Sequence, residues 1–239
     1  MTIAEKLTTI AENEQKVYEA GIDVGKKSEY DAFWDALQKN GTASNYEYAF
    51  GSRLWTDEMF KPKYNITLAA GYTATDMFAR SNITNVKQRL IDADVVLDTS
   101  ACTYFTRMFY NAKTAEIPTI DISNAKNTQT LFASASIVSI DKVIISETTK
   151  INVDMFSGAT KLKDIVFEGV IGSNLDMTQC TKLSKASITS IMNALSTTAT
   201  GKTLTLSQAA VVSAFGSEDN ADWVALKDNK PEGWSISLV

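Results

Sequence analysis

The clearest pattern along the chain is a six-residue arrangement of apolar positions that occurs three times. The copies span 117–122, 140–145 and 162–167, and each has apolar residues at its first, fourth and sixth places. They begin 23 and 22 residues apart, and each follows a phenylalanine that has an apolar residue before it. The alternation over the last three places is typical of a short strand with one buried face.

A fixed period in the low twenties is typical of stacked repeats, because one such unit cannot cover its own apolar face. The pattern therefore predicts a mainly-β repeat solenoid, irregular and leucine-rich-repeat-like, in which the three phenylalanines stack in a column. The alternative is an ordinary sandwich or α/β domain, for which phenylalanines in register are harder to obtain. The predicted repeat core is Phe109, Ile117, Ile120, Ile122, Phe132, Ile140, Val143, Ile145, Phe156, Leu162, Ile165 and Phe167.

Residues 1–41 form a separate N-terminal segment with helical spacing. Its apolar residues fall on alternating steps of four and three, at Ile3, Leu7, Ile10, Val17 and Val24. Glu14 and Gly21 occupy the two weak places of this spacing. This heptad-like seam predicts a helix that anchors the protein or associates with a second copy. A helix packed on its own domain produces the same spacing, so both interpretations stay open.

The rest of the chain, 42–239, is expected to be one repeat domain with an N-terminal cap (42–75), coils (76–186) and a C-terminal α/β cap (187–239). The first cap is rich in aromatic residues, among them Tyr46, Tyr48 and Trp55. They suit either the core of a cap or a binding platform for a glycan or a protein. In the second cap, the pattern predicts helices over 187–195, 209–215 and 220–227 and strands over 203–207 and 234–239.

Composition narrows the chemistry of the protein. Lys and Arg number 23 against 28 Asp and Glu, and the absence of a basic stripe argues against nucleic acid as a partner. The chain has no histidine, which excludes histidine-based catalytic triads and metal sites. Cys102 and Cys180 are expected to be buried thiols rather than a disulfide, although the sequence leaves their pairing open. We therefore predict a protein that is not an enzyme, with no catalytic residues, cofactor or metal.

The six-place pattern matches the first half of the leucine-rich-repeat consensus, L-x-x-L-x-L. Ala125, Thr148 and Val170 stand where that consensus has Asn or Cys, so the regular Asn ladder is missing. The Phe-bearing, Ile/Val-rich version resembles the BspA-type leucine-rich repeats of bacterial surface proteins. It is also similar to repeat proteins encoded in prophages of Gram-positive gut bacteria.

This resemblance implies a non-enzymatic structural or binding protein of a phage or phage-like particle, which displays a rigid surface for assembly or for recognition of a host or partner. The chain opens without an apolar leader and has no membrane-spanning run, so we expect synthesis in the bacterial cytoplasm, a final location in the virion and no membrane insertion. Expected partners are other virion or surface proteins, a second copy of the chain, and a host surface receptor. The alternative is a leucine-rich-repeat adhesin on the bacterial surface that binds protein or glycan.

Overall fold

A computed structural model of the protein describes residues 49–53, 55–68, 70–71 and 73–239. The elements of these residues, in chain order, are β1 (Ile66–Thr67), α1 (Val86–Asp92), β2 (Leu97–Asp98), β3 (Glu116–Ile117), β4 (Ile120–Asp121), β5 (Ser139–Ile145), β6 (Asp164–Gly169), β7 (Leu175–Met177), α2 (Lys185–Asn193), β8 (Lys202–Leu206), α3 (Gln208–Phe215), α4 (Ala221–Asp228) and β9 (Trp234–Leu238). None of these helices is both long enough and apolar enough to cross a membrane.

The strands form three small sheets, and every pairing within them is parallel. β1 pairs with β2, and β7, β8 and β9 lie side by side in that order. In the central four-stranded sheet, β3 and β4 both pair with one edge of β5, and β6 pairs with the other edge. β3 and β4 are thus two halves of one strand that is interrupted around Pro118, which has no N–H to donate to a ladder.

The prediction of a mainly-β repeat solenoid is wrong, because the described part of the chain has a mixed α/β fold. Its four helices contain about as many residues as its nine strands. The strands are divided among separate sheets of two, four and three strands instead of running through one continuous sheet. Four strands have only two residues, and two of these, β3 and β4, are separated by Pro118 within the first copy of the six-place pattern.

The third copy of the pattern does not pair with the second at equal places. Ile117 pairs with Ile140, as equal places of the pattern require, but Ile140 pairs with Ile165 rather than with Leu162. An irregularity between Ile140 and Val143 places one extra residue in β5, so that Val143 pairs with Phe167. Leu162 is buried, although it lies ahead of β6.

A column of five phenylalanine rings runs through the core beside the central sheet. The rings belong to Phe50, Phe78, Phe109, Phe132 and Phe156, and consecutive centroids lie 5.1, 5.1, 6.0 and 5.3 Å apart. Neighbouring ring planes are inclined by at most 27°. The three phenylalanines that the sequence pattern singled out are therefore the last three rings of a longer stack.

Each inner ring of the column sits at the centre of a turn with left-handed backbone on both sides. In the turn around Phe109, the flanking residues Arg107 and Asn111 have φ of 56° and 52°. The same positions are left-handed in the turns of Phe78 and Phe132. Backbone hydrogen bonds join neighbouring turns, since Phe109 N–H donates to Leu131 and Phe132 N–H donates to Met155, both at 2.9 Å. These bonds tie the turns together without forming strands.

Helices cover both ends of the central sheet. α2 lies along the outer edge of β6, where the hydroxyl of Ser187 accepts from Ile165 N–H at 2.9 Å and that of Ser190 accepts from Phe167 N–H at 2.9 Å. At the other end, Thr114 just before β3 accepts from the first N–H of α1. The α2 hydroxyls therefore form hydrogen bonds with backbone groups of β6 that would otherwise be free to pair with a further strand.

The structure describes the predicted C-terminal cap in full, but it omits the N-terminal segment and part of the N-terminal cap. Residues 1–41, with Ile3, Leu7, Ile10 and Val17, lie outside the described residues, as do Tyr46 and Tyr48. The C-terminal region contains most of α2 and all of α3, α4, β8 and β9. Its two tryptophans, Trp223 and Trp234, are buried in the main core.

Candidate functional site

The central sheet presents a regular outer face, because its side chains alternate between the core and the surface. Two rows of side chains cross this face in register, the first from Glu116 through Ser139 to Asp164 and the second from Asp121 through Ile144 to Glu168. We call these six residues, together with Asp141, Lys142 and Val166, the outer sheet face.

Carboxylates dominate the outer sheet face. Two lysines lie across it: Lys87 of α1 reaches Asp141 at 2.6 Å and Glu116 at 3.9 Å, and Lys142 pairs with Glu168. Five carboxylates against these two lysines leave a net negative surface. Exposed ion pairs of this kind add little to stability, but they hold the charged groups in fixed places.

Two apolar side chains lie among the charges. Val166 is 47% exposed at the middle of β6, and Ile144 of β5, which pairs with Glu168, is half-buried. Both belong to strands whose alternate side chains are packed in the core, so the two apolar side chains are held in place by the sheet beneath them. The arrangement offers a partner a rigid apolar contact bordered by ordered negative charge.

Among the described residues, three titratable groups have clearly displaced pKa values, and each displacement has a local cause. Burial raises the pKa of the Cys102 thiol, and it raises the pKa of Cys180 to about 12, with a further contribution from the charge of Asp176. Hydrogen bonds from Ser196 and Thr198 lower the pKa of Glu147. Within the described ranges, no group of three or more Cys, Asp or Glu side chains is arranged to hold a metal ion.

The predicted repeat core lies beneath the outer sheet face. All twelve of its residues are buried, the most exposed being Phe167 at 6%. Trp55, the one described residue of the predicted aromatic platform, is 8% exposed, and its ring meets Phe50 edge-on at 5.2 Å. In this position its indole contributes to the core instead of presenting a face to a ligand.

Lys87, which pairs with the outer sheet face, was not indicated by the sequence pattern. It projects from α1, within the residues that the sequence analysis assigned to the coils, and its partner Asp141 is 54 positions away. The spacing of the buried Val86 and Leu90 was the only local sign of this helix.

Comparisons of the chain with protein-family models, with curated proteins and with solved structures found no match.

Proposed function

We propose that this chain is a non-enzymatic component of a phage or phage-like particle and that it binds a partner protein through the outer sheet face. The observation that carries the proposal is the geometry of that face, where in-register rows of charged and apolar side chains stand on a sheet anchored by the phenylalanine column. A surface whose frame is already ordered loses little conformational freedom when it binds.

The particle itself is inferred from the resemblance to prophage-encoded repeat proteins. Tail and capsid components bind their neighbours through large, rigid surfaces, and the outer sheet face would serve that purpose. Its net negative charge favours a partner with lysine or arginine at the rim of the contact, and Val166 and Ile144 supply an apolar centre.

The N-terminal segment has a separate role in this proposal. Its predicted heptad seam, Ile3, Leu7, Ile10 and Val17, would join copies of the chain or dock the chain on the particle. Light scattering on full-length protein and on a Leu7→Glu, Ile10→Glu double variant tests self-association. A variant that keeps the parent's oligomeric mass would contradict it.

Purified particles give the direct test of the assignment. From a strain that carries the gene, particles banded in a density gradient should contain the chain in a constant ratio to their capsid protein, as measured by mass spectrometry. Recovery of the chain in the cell-envelope fraction alone would contradict the particle assignment and favour a surface adhesin.

A matched pair of valine variants tests the contact surface. Val166→Glu places a charge at the exposed apolar position of β6 on the outer sheet face, whereas Val153→Glu places the same charge at a valine that is 69% exposed outside any strand. We expect Val166→Glu to lose incorporation into particles while Val153→Glu retains it, with both variants folded by circular dichroism. Equal incorporation of the two would remove the outer sheet face from the proposal.

A further inference from the structure

Three of the four arginines of the chain gather at one place, although the protein is acidic overall. Arg53 and Arg80 line a cavity of about 400 Å³ at the N-terminal end of the phenylalanine column, and Arg107 contacts Asp76 in its wall. The remaining lining comes from Gly51, Ser52 and Ala79. A cavity of this volume is in the range of small-molecule sites.

The charges of these arginines are not all balanced. Arg107 donates to the Asp76 carboxylate from two nitrogens: Nε lies 2.9 Å from Oδ1, and Nη2 lies 2.6 Å from Oδ2. Asp76 is only 5% exposed. Arg53 and Arg80 are exposed, and neither pairs with a carboxylate of the described chain. The guanidinium of Arg80 lies 5.5 Å from the ring centre of Tyr110, which restrains its position.

The cavity also contains a backbone carbonyl whose equivalents in the later turns accept hydrogen bonds within the protein. There, the carbonyl that follows each phenylalanine accepts from the preceding turn, as Tyr110 does from Arg80 at 2.7 Å and Ala133 from Asn111 at 2.9 Å. Ala79 holds the same place after Phe78, and no group of the described chain donates to its oxygen. The first described turn therefore leaves its carbonyl available to a ligand.

Gly51 keeps the floor of the cavity open. A Cβ at this residue would lie 2.3 Å from the carbonyl oxygen of Asp76 and 3.4 Å from that of Ala79. Any side chain at position 51 would therefore collide with the backbone and cover the acceptor.

We propose that this cavity binds a carboxylate that carries neighbouring hydroxyl groups, with the size of one acidic sugar unit such as a hexuronic acid. Arg53 and Arg80 supply planar donors that match a carboxylate, and the Ala79 carbonyl accepts from a hydroxyl of the same ligand. Arg107 balances the charge of Asp76, so the two arginines that have no carboxylate partner in the described chain leave the cavity positive for an anion, and the Ala79 acceptor requires that this anion also carry a hydroxyl donor. The site is independent of the outer sheet face and of the function proposed for it.

Calorimetric titration of full-length protein with glucuronate, and with glucose as the neutral match, tests the proposal. We expect glucuronate to bind and glucose not to bind. Arg53→Gln and Arg80→Gln should each weaken glucuronate binding by about tenfold or more, because each removes a charged donor. Arg89→Gln on α1 is the matched control and should bind like the parent.

Further probes separate the sources of the ligand and the ways in which the proposal fails. Tighter binding of a hexuronate oligosaccharide than of glucuronate would assign the site to a glycan, whereas equal binding would assign it to the free acid. Equal binding of glucose, tighter binding of inorganic phosphate, or unchanged binding in both arginine variants would overturn the proposal. Binding of a glutamate-rich peptide without binding of glucuronate would overturn it as well.

Discussion

At the scale of single residues, the two cysteines show how burial determines reactivity. Cys102 and Cys180 are both buried and form no disulfide. Burial raises the pKa of each thiol, that of Cys180 to about 12. Because the thiolate is the reactive form of cysteine, both side chains are held in an inert state at neutral pH.

We therefore expect the native protein to react with an aromatic disulfide reagent at about pH 8 far more slowly than cysteine in solution does. Denaturation should then expose two reactive thiols per chain. The absorbance at the end of the reaction gives the number of thiols that have reacted. Cys102→Ser and Cys180→Ser variants would assign the two reactions. Two fast thiols in the native protein would contradict this account of the burial of both residues.

Glu147 gives a pH dependence with a defined sign. Its folded pKa is depressed from the ordinary 4.5 by hydrogen bonds from Ser196 and Thr198, so its ionised form stabilises the fold. That contribution is complete above the unfolded pKa and is lost as pH falls through the folded pKa. The stability difference between the parent and Glu147→Gln, measured by urea unfolding, should shrink as the pH is lowered. Glu232→Gln, at an exposed residue for which the described residues provide no hydrogen bond, should show no such trend.

At the scale of elements, α2 ends the central sheet by presenting hydroxyls to the edge of β6. The Ser187 hydroxyl accepts from Ile165 N–H and donates to Lys163 C=O at 3.0 Å. The Ser190 hydroxyl accepts from Phe167 N–H and donates to Phe167 C=O. A helix normally has no free backbone groups to offer a strand, so side chains take this role. The edge is thereby covered without adding a strand.

Removal of the buried Ser187 hydroxyl should therefore lower the stability of the fold. Ser187→Ala leaves the Ile165 N–H unsatisfied, and we expect a loss of about 1–3 kcal/mol in the free energy of unfolding. Thr189→Ala is the matched control on the same helix, because the Thr189 hydroxyl makes no hydrogen bond within the described chain. Equal unfolding midpoints in urea for the two variants would show that the Ser187 hydroxyl does not support β6.

Sequence patterns predicted the elements where helical or strand periodicity is strong and local. The helix expected over 187–195 is α2 (Lys185–Asn193), and the strand expected over 203–207 is β8 (Lys202–Leu206). α1 was missed, because seven residues give too little periodicity to identify a helix. The Ile140–Ile165 pairing was missed because a local irregularity in β5 leaves no mark in a pattern of apolar places.

At the scale of the whole molecule, the phenylalanine column connects the turns from Phe50 to Phe156 into one core. Phe109 lies at its centre, 5.1 Å from the ring of Phe78 and 6.0 Å from that of Phe132, and it is fully buried. Truncation there opens a cavity that the neighbouring rings are too constrained to fill.

We expect Phe109→Ala to lower the free energy of unfolding by about 3–5 kcal/mol. Tyr104→Ala removes an aromatic ring that is 48% exposed and should change stability by less than about 0.5 kcal/mol. Urea denaturation followed by tryptophan fluorescence measures both. Comparable losses for the two variants would mean that the column does not concentrate stability in the core.

The overall architecture was harder to predict than its parts. The apolar residues Ile117, Ile120 and Val143 are all buried, but a pattern of buried places does not distinguish a single stacked sheet from several short sheets with helices between them. The outer sheet face and the arginine cavity depend on contacts between distant residues, such as Lys87 with Asp141 and Asp76 with Arg107. No single stretch of sequence contains such contacts.

The left-handed turns around the phenylalanine rings also include a position at which a substitution should stabilise the protein. Thr130 has a φ of 48°, a left-handed conformation that a β-branched side chain disfavours and that glycine adopts readily. Thr130→Gly should therefore raise the melting temperature. The same exchange at Thr128, whose hydroxyl donates to Lys150 C=O and accepts from Asn152 N–H, should lower it. The same backbone would therefore support a higher melting temperature than the natural residue at position 130 gives the protein.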